Sequence, residues 1–219
     1  MGLGCILQQY WLGVKTNRAE KHKTYLEHIA FTDLKVFEMV LKHIPKQQQL
    51  QLSNSSTIRY TQLFDLDASL NVFCNRGTSG IDGSTSTAVG CAVVSNKQTT
   101  LITGDLSFLY DSNALWNNYI PNNCRIIVIN NEGGGIFRIL PGNKDSENFD
   151  TYFETKHHLT AKHISRMYNF EYEIATTERE MKLHLNTFFD NSETPRLLEV
   201  FTPRTINDEV LLEYFKFIK

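Results

Sequence analysis

The sequence predicts an α/β fold: a doubly wound, mostly parallel sheet of about six strands with helices on both faces. Three observations carry this. Short apolar runs alternate along the chain with longer segments of helical character, as repeated βαβ units do. The segment Thr99–Asn131 contains one such unit whole, with TTLIT and RIIVI as parallel neighbouring strands around a helix. Asp105 and Asn131 fall just past the carboxyl ends of those strands, the edge at which open α/β sheets bind ligands.

Taken in order, Met1 to Gln9 is mildly apolar but has no charged n-region or cleavage site, which argues against a signal peptide. Residues 10–33 are polar and mixed in charge, with Lys15, Arg18, Lys21 and Lys23 close together, and read as a connector or helical arm. Residues 1–33 are therefore set apart from a folded domain over 34–219. Leu34 to Ile44 is an amphipathic helix, with Leu34, Phe37, Val40, Leu41 and Ile44 on one face, stopped by Pro45. Strands are predicted at Gln49–Leu52, Leu70–Cys74, Thr99–Thr103, Arg125–Ile129, Tyr172–Ala175 and Leu197–Phe201. Helices are predicted at Ser56–Leu66, Ser84–Val94, Phe108–Asn118, Leu159–Tyr168, Glu178–Phe189 and Asp208–Phe217. Lys144–Glu154, within a longer 142–156 stretch, is polar and flanked by Gly and Pro, and is expected as a mobile loop over the site.

A chain of 219 residues buries about 70% of its unfolded surface. Hydrophobic content of 41% and charged content of 21% are those of an ordinary soluble globular domain. Net charge is −2 with no basic block, which gives nucleic-acid binding little electrostatic support. No apolar run approaches the roughly 20 residues needed to cross a bilayer. Cys5, Cys74, Cys91 and Cys124 form no CxxC pair and read as free thiols of a reducing, cytoplasmic setting. His157, His158 and His163 cluster without an acidic or thiol partner nearby in sequence and are assigned structural or surface roles.

An aspartate and an asparagine brought together at the sheet edge offer hard oxygen ligands suited to Mg²⁺ holding a diphosphate. Asp105 is also an ordinary helix N-cap candidate. Gly133, Gly134 and Gly135 permit close backbone approach. Gly104, Leu106 and Ser107 could turn backbone N–H groups to an anion at a helix start.

Gly-Asp followed about 25 residues later by Asn-Asn resembles the thiamine-diphosphate motif. NRGTSGIDGSTSTAVG (Asn75–Gly90), NNEGGGIFRILP (Asn130–Pro141) and NSSTIR (Asn54–Arg59) are similar to one branch of these enzymes, the menaquinone-pathway 2-succinyl-5-enolpyruvyl-6-hydroxy-3-cyclohexene-1-carboxylate synthases. The resemblance covers residues 47–205 and only the diphosphate-binding last third of a family member. It implies thiamine diphosphate with Mg²⁺ (Mn²⁺ as an alternative), the metal being held by Asp105, Asn131 and the backbone carbonyl of Gly133. Glu132 departs from the asparagine often found there and is not assigned to the metal. Ile81 would wedge beneath the thiazolium ring and keep the cofactor bent. Ser55, Arg59 and Arg76 would bind the carboxylates of 2-oxoglutarate and isochorismate, with Ile136, Phe137 and Leu140 as an apolar wall. Arg138 stays unassigned. The implied reaction decarboxylates 2-oxoglutarate and adds the resulting carbanion to isochorismate. The resemblance further implies a homo-oligomer, dimer or tetramer, with the activating glutamate on an N-terminal domain absent from this chain, so that these 219 residues alone are expected to be inactive. Two other readings stay open: another thiamine-diphosphate decarboxylase or carboligase, or a non-catalytic α/β module binding a nucleotide or a protein. Two arginines favour a dianionic substrate over pyruvate, and the absence of a GxGxxG fingerprint or Walker A lysine weakens the nucleotide version.

Overall fold

The computed structural model describes residues 3–142 and 144–219, with side chains from residue 6 onward. Its strands are β1 (Gln49–Leu52), β2 (Asn71–Cys74), β3 (Thr99–Gly104), β4 (Cys124–Asn130), β5 (Glu171–Ala175) and β6 (Arg196–Phe201). They form one sheet in the order β2-β1-β3-β4-β6-β5, and every pairing is parallel. The sheet is thus all-parallel rather than mostly so. The helices are α1 (Leu3–Leu26), α2 (Asp33–His43), α3 (Ser56–Thr61), α4 (Ser84–Val94), α5 (Asp105–Tyr110), α6 (Ile136–Ile139), α7 (Lys162–Met167), α8 (Glu178–Phe188) and α9 (Asn207–Phe217).

Alternation along the central strands builds two cores. In β4 every residue is buried; Ile127 and Ile129 face one side, Ile126 and Val128 the other. The first face packs against α2, α8, α9 and Tyr60 of α3, and the second against α4, Phe108 of α5 and Leu115. Each of these aliphatic side chains contributes about 1.5–3 kcal/mol by leaving water. The strand β2 is an exposed edge, with Val72 and Phe73 open to solvent. From β1 the chain runs out to β2 and returns past β1 to β3. The loops after β1 and β3 therefore diverge and open a crevice at the carboxyl edge.

Three predicted helices are shorter or shifted. The first is α3, which ends at Thr61 because Leu63 and Phe64 turn back onto Tyr60 and Thr61 through i→i+3 bonds. The second is α5, which begins at Asp105, three residues early. It stops at Tyr110, where Asp111 turns its carboxylate to the Ser86 backbone N–H and hydroxyl, and a 3₁₀ turn (Ser112–Leu115) follows. The third is α7, which starts at Lys162, because Glu199 fixes the Ala161 N–H and Asn130 the Leu159 carbonyl in non-helical positions. The predicted arm is α1, whose Ile6, Leu7, Tyr10, Trp11 and Leu12 are exposed. Its last turns dock on α9: His22 Nδ1 lies 2.8 Å from the Tyr214 hydroxyl, and Tyr25 donates to the Val210 carbonyl. Leu26, Thr32 and Asp33 are buried in the body of the domain. The segment expected as a loop carries a π-helical turn (Phe149–Phe153), and its end is fixed: Glu154 is fully buried and paired with both Arg138 and Arg204.

Candidate cofactor and substrate cleft

The crevice is a cleft of ≈ 360 Å³ at the carboxyl edge of the sheet. Its walls come from the carboxyl ends of the strands and the loops and first helical turns that follow β1 (Ser55, Arg59), β2 (Arg76, Ile81), β3 (Gly104, Asp105, Leu106, Ser107) and β4 (Asn131, Gly133, Gly134, Ile136, Phe137, Leu140). Every residue singled out from the sequence for cofactor or substrate therefore borders one cavity.

Asp105 is buried and central. One carboxylate oxygen accepts the Leu106 N–H at 2.7 Å, and the other accepts the Gly133 N–H at 3.0 Å. The Leu106 amide is thus taken by the carboxylate rather than turned to a diphosphate. The helix α5 has only six residues, so a helix-dipole contribution at its start is small. The Ser107 hydroxyl donates to the Ile81 carbonyl and ties the GIDG turn to α5.

Asn131 is oriented by a buried network. Its Nδ2 donates to the Asp33 carboxylate at 2.9 Å, while its Oδ1 is buried with no hydrogen-bond partner. Asp33 also accepts from the Thr202 hydroxyl at 2.6 Å and from Asn207 Nδ2 at 3.0 Å. Burial pushes the Asp33 carboxyl up to about 6, against these three hydrogen bonds. A buried oxygen without a donor costs about 1–3 kcal/mol; a cation or ligand at that point removes the cost. Among the described residues no cluster of three His, Cys, Asp or Glu side chains exists. The donors that fit here are one carboxylate, one amide oxygen and a backbone carbonyl, an all-oxygen set with room for diphosphate oxygens and water. The Gly133 carbonyl accepts one bond, from the Gly135 N–H at 3.0 Å, and retains a second lone pair.

The glycine turn is set by contact. Gly133 has φ +150°, and a Cβ there would lie 2.6 Å from the Glu154 carbonyl oxygen. That same oxygen accepts the Gly134 N–H at 2.6 Å. Arg138, unassigned from sequence, thus has a place: with Arg204 it clamps the Glu154 carboxylate beneath the turn. Ser55, Ser79 and Glu132 adopt positive φ (70°, 62° and 62°) in three loops around the cleft.

Arg59 and Arg76 are both exposed. Arg59 donates to the Ser55 carbonyl, and Arg76 donates to Asn54 Oδ1 at 2.6 Å. Among the described residues neither guanidinium has a carboxylate partner. Ile136 is buried, while Phe137 and Leu140 stand open to the cleft.

Sequence reasoning missed Asn54, Asp33, His157 and Glu154. Asn54 was within reach, since it sits at the carboxyl end of β1 beside Ser55. His157 is corrected from a partnerless histidine: its Nε2 lies 3.2 Å from Asp105 Oδ2, and Asp105 raises its pKa above the ordinary 6.5, against burial. His158 pairs with Glu132. Asp33 and Glu154 arrive from distant segments and carry no local signal. The described cysteines Cys74, Cys91 and Cys124 are free, and burial pushes the Cys124 thiol up to about 12.

No protein-family model matches the chain. Among curated proteins, the 2-succinyl-5-enolpyruvyl-6-hydroxy-3-cyclohexene-1-carboxylate synthase of Christiangramia forsetii is 60% identical over 206 residues, 94% of this chain and 36% of that protein. The synthase of the same name from Flavobacterium psychrophilum is 60% identical over 207 residues, 94% of this chain and 38% of the relative. That of Porphyromonas gingivalis is 42% identical over 209 residues, 95% of this chain and 36% of the relative. The chain spans little more than a third of the length of the curated relatives it matches. With 94–95% of this chain covered at such identity, the chain belongs with the 2-succinyl-5-enolpyruvyl-6-hydroxy-3-cyclohexene-1-carboxylate synthases.

Proposed function

We propose that this chain is the C-terminal, cofactor-holding portion of such a synthase, releasing CO₂ from 2-oxoglutarate and joining the remaining four-carbon unit to isochorismate. The observation that carries this reading is the buried, donorless Asn131 Oδ1 in a cleft that also holds Asp105, the glycine turn and two arginines without carboxylate partners. Thiamine diphosphate, when bound, supplies a carbon nucleophile and an electron sink for the decarboxylation. Asp105, Asn131 and the Gly133 carbonyl would hold Mg²⁺ or Mn²⁺ against its diphosphate. Gly104, Ser107 and Gly134 border the same position, and Ile81 would support the thiazolium ring.

Arg59, Arg76 and Ser55 bind the substrate carboxylates. Both substrates are dianions, and an arginine fork stays charged and can hold a carboxylate by two parallel bonds. Ile136, Phe137 and Leu140 cover the reacting face and exclude water, which keeps the decarboxylated unit from being protonated and lost. The activating glutamate belongs to a domain outside these residues, contributed by a second subunit of a dimer or tetramer. The chain by itself is therefore inactive, and residues 1–33 are the junction to the preceding domain. A cytoplasmic setting accords with the free thiols. Among the described residues no helix is long and apolar enough to cross a membrane.

The test uses the full-length protein carrying this chain, supplied with Mg²⁺ and thiamine diphosphate. Isochorismate loss is followed with and without 2-oxoglutarate, in the parent and in Asp105→Ala and Arg76→Ala. Consumption that depends on 2-oxoglutarate and collapses in both variants supports the reading. CO₂ release from another 2-oxo acid, with isochorismate untouched, moves the protein to a different thiamine-diphosphate reaction.

A further inference from the structure

We propose that Asp33 is a positioning residue for the metal: its carboxylate holds Asn131 with the amide NH₂ turned inward and the side-chain oxygen turned to the metal position. The inference rests on the reading of the cleft as a metal–diphosphate site. Asn131 is a two-faced side chain, donor at one end and acceptor at the other, and only the acceptor end is of use to a cation. Something must choose between the two orientations. An ionised carboxylate accepts and never donates, so it selects the NH₂ end.

Asp33 is placed for that choice. It is the first residue of α2, 3% exposed, and 98 positions from Asn131 in sequence. Its backbone N–H donates to Asn207 Oδ1 at 2.8 Å, which fixes the start of α2 against α9. One carboxylate oxygen is taken by two donors, the Thr202 hydroxyl and Asn207 Nδ2. The other is left for Asn131 Nδ2, at 2.9 Å. With donors on both oxygens, only an acceptor at both ends satisfies the site. Gly135 leaves space for this arrangement: a Cβ there would lie 3.3 Å from Asn131 Nδ2, so a larger residue at 135 would crowd the amide.

This makes Asp33→Asn an inverting change rather than a deletion. The new amide keeps its oxygen toward Thr202 and Asn207, where two donors wait, and presents NH₂ to Asn131. Asn131 then turns its own oxygen inward to accept, and shows NH₂ to the metal. The swapped pair Asp33→Asn/Asn131→Asp restores the match: the amide at 33 donates to the carboxylate at 131, whose second oxygen faces the metal.

The experiment titrates Mn²⁺ by electron paramagnetic resonance into the full-length protein with thiamine diphosphate in excess, while circular dichroism follows folding. Loss of a partner that orients a metal ligand weakens metal binding by about 10–100-fold. That loss is expected in Asp33→Asn, with most of it regained in the swapped pair. If the parent binds no Mn²⁺ with thiamine diphosphate, the cleft reading itself falls and takes this inference with it. If the parent binds and folded Asp33→Asn binds equally well, the cleft reading stands and the role of Asp33 is overturned. A folded swapped pair that binds no better than the folded single variant overturns it too, because a merely structural aspartate would not be rescued or harmed by polarity. Should the single variant fail to fold, recovery of folding and Mn²⁺ binding in the swapped pair supports the assignment. A swapped pair that folds without binding, or does not fold, refutes it.

Discussion

Gly133→Ala tests the turn beneath the proposed metal site. The added Cβ meets the Glu154 carbonyl oxygen at 2.6 Å and Glu154 Cγ at 3.2 Å, on a backbone with φ +150°. The carbonyl has nowhere to go, since the Glu154 side chain is fully buried and held by Arg138 and Arg204. Strain at such a φ costs about 1–3 kcal/mol. Displacing the carbonyl also breaks its bond to the Gly134 N–H, worth about 0.5–1.5 kcal/mol. The sum, about 1.5–4.5 kcal/mol, is a large part of the roughly 5–15 kcal/mol that holds a domain folded. Urea denaturation of the 219-residue chain followed by circular dichroism reads it directly. Gly90→Ala is the matched control: Gly90 lies in α4 with nothing within 4 Å of its added Cβ. That change should raise stability by about 0.5–1 kcal/mol. A Gly133→Ala midpoint indistinguishable from wild type would refute the steric account of the turn.

Glu154→Ala leaves two arginines facing an emptied site and should destabilise by about 3–5 kcal/mol, read by the same denaturation. In the full-length protein, removing one charged hydrogen-bond donor by Arg59→Ala or Arg76→Ala should cost about 1.5–3 kcal/mol in kcat/KM, while thiamine-diphosphate affinity stays at the parent value. Equal loss of cofactor affinity would move the arginines out of the substrate role. His22 is held neutral by burial, which lowers its pKa from 6.5, with Glu38 and Asp65 opposing and Lys42 assisting. Its contribution to stability is present above pH 6.5 and lost as pH falls below that. His22→Gln should therefore flatten the acid side of the melting-temperature profile, and an unchanged slope would assign the acid loss elsewhere.

The sheet was legible because its signal is local. RIIVI is short and rich in β-branched side chains, which favours a strand buried on both faces, and β4 is buried along its whole length. Once the strands are ordered by βαβ logic, the residues just past their carboxyl ends must gather at one edge, which is why Ser55, Arg76, Asp105 and Asn131 meet in one cleft. Helix ends were not legible, because distant partners decide them. Asp111 leaves α5 for Ser86, 25 residues away, and Ala161 is held out of α7 by Glu199, 38 residues away. The same holds for what orients the site. Thr32-Asp33 reads as any helix start, and nothing in it announces a contact with Asn131.

Size alone would not choose the proposed site on this molecule. A more open hollow of ≈ 920 Å³ lies at the opposite, amino edge of the sheet, among Lys46, Lys97, Arg125 and Arg196. Its strongest cations are already spent. Arg125 donates to the Phe188, Asn122, Cys124 and Asp190 carbonyls and to Ser192, and Arg196 is paired with Glu171. The amide oxygens of Gln48, Gln98 and Asn123 also lack donors there, on side chains that are half-buried. At the carboxyl edge the balance is reversed. Asn131 is locked by Asp33 with its oxygen donorless, Arg59 and Arg76 face the cleft without carboxylates, and Ser55, Ser79 and Glu132 are kept at positive φ in the loops around it. Each such backbone costs on the order of 1–3 kcal/mol and persists only where surrounding structure enforces it. The smaller cavity brings together a locked, donorless oxygen and two arginines without carboxylates, and a bound metal and anionic ligands would satisfy both.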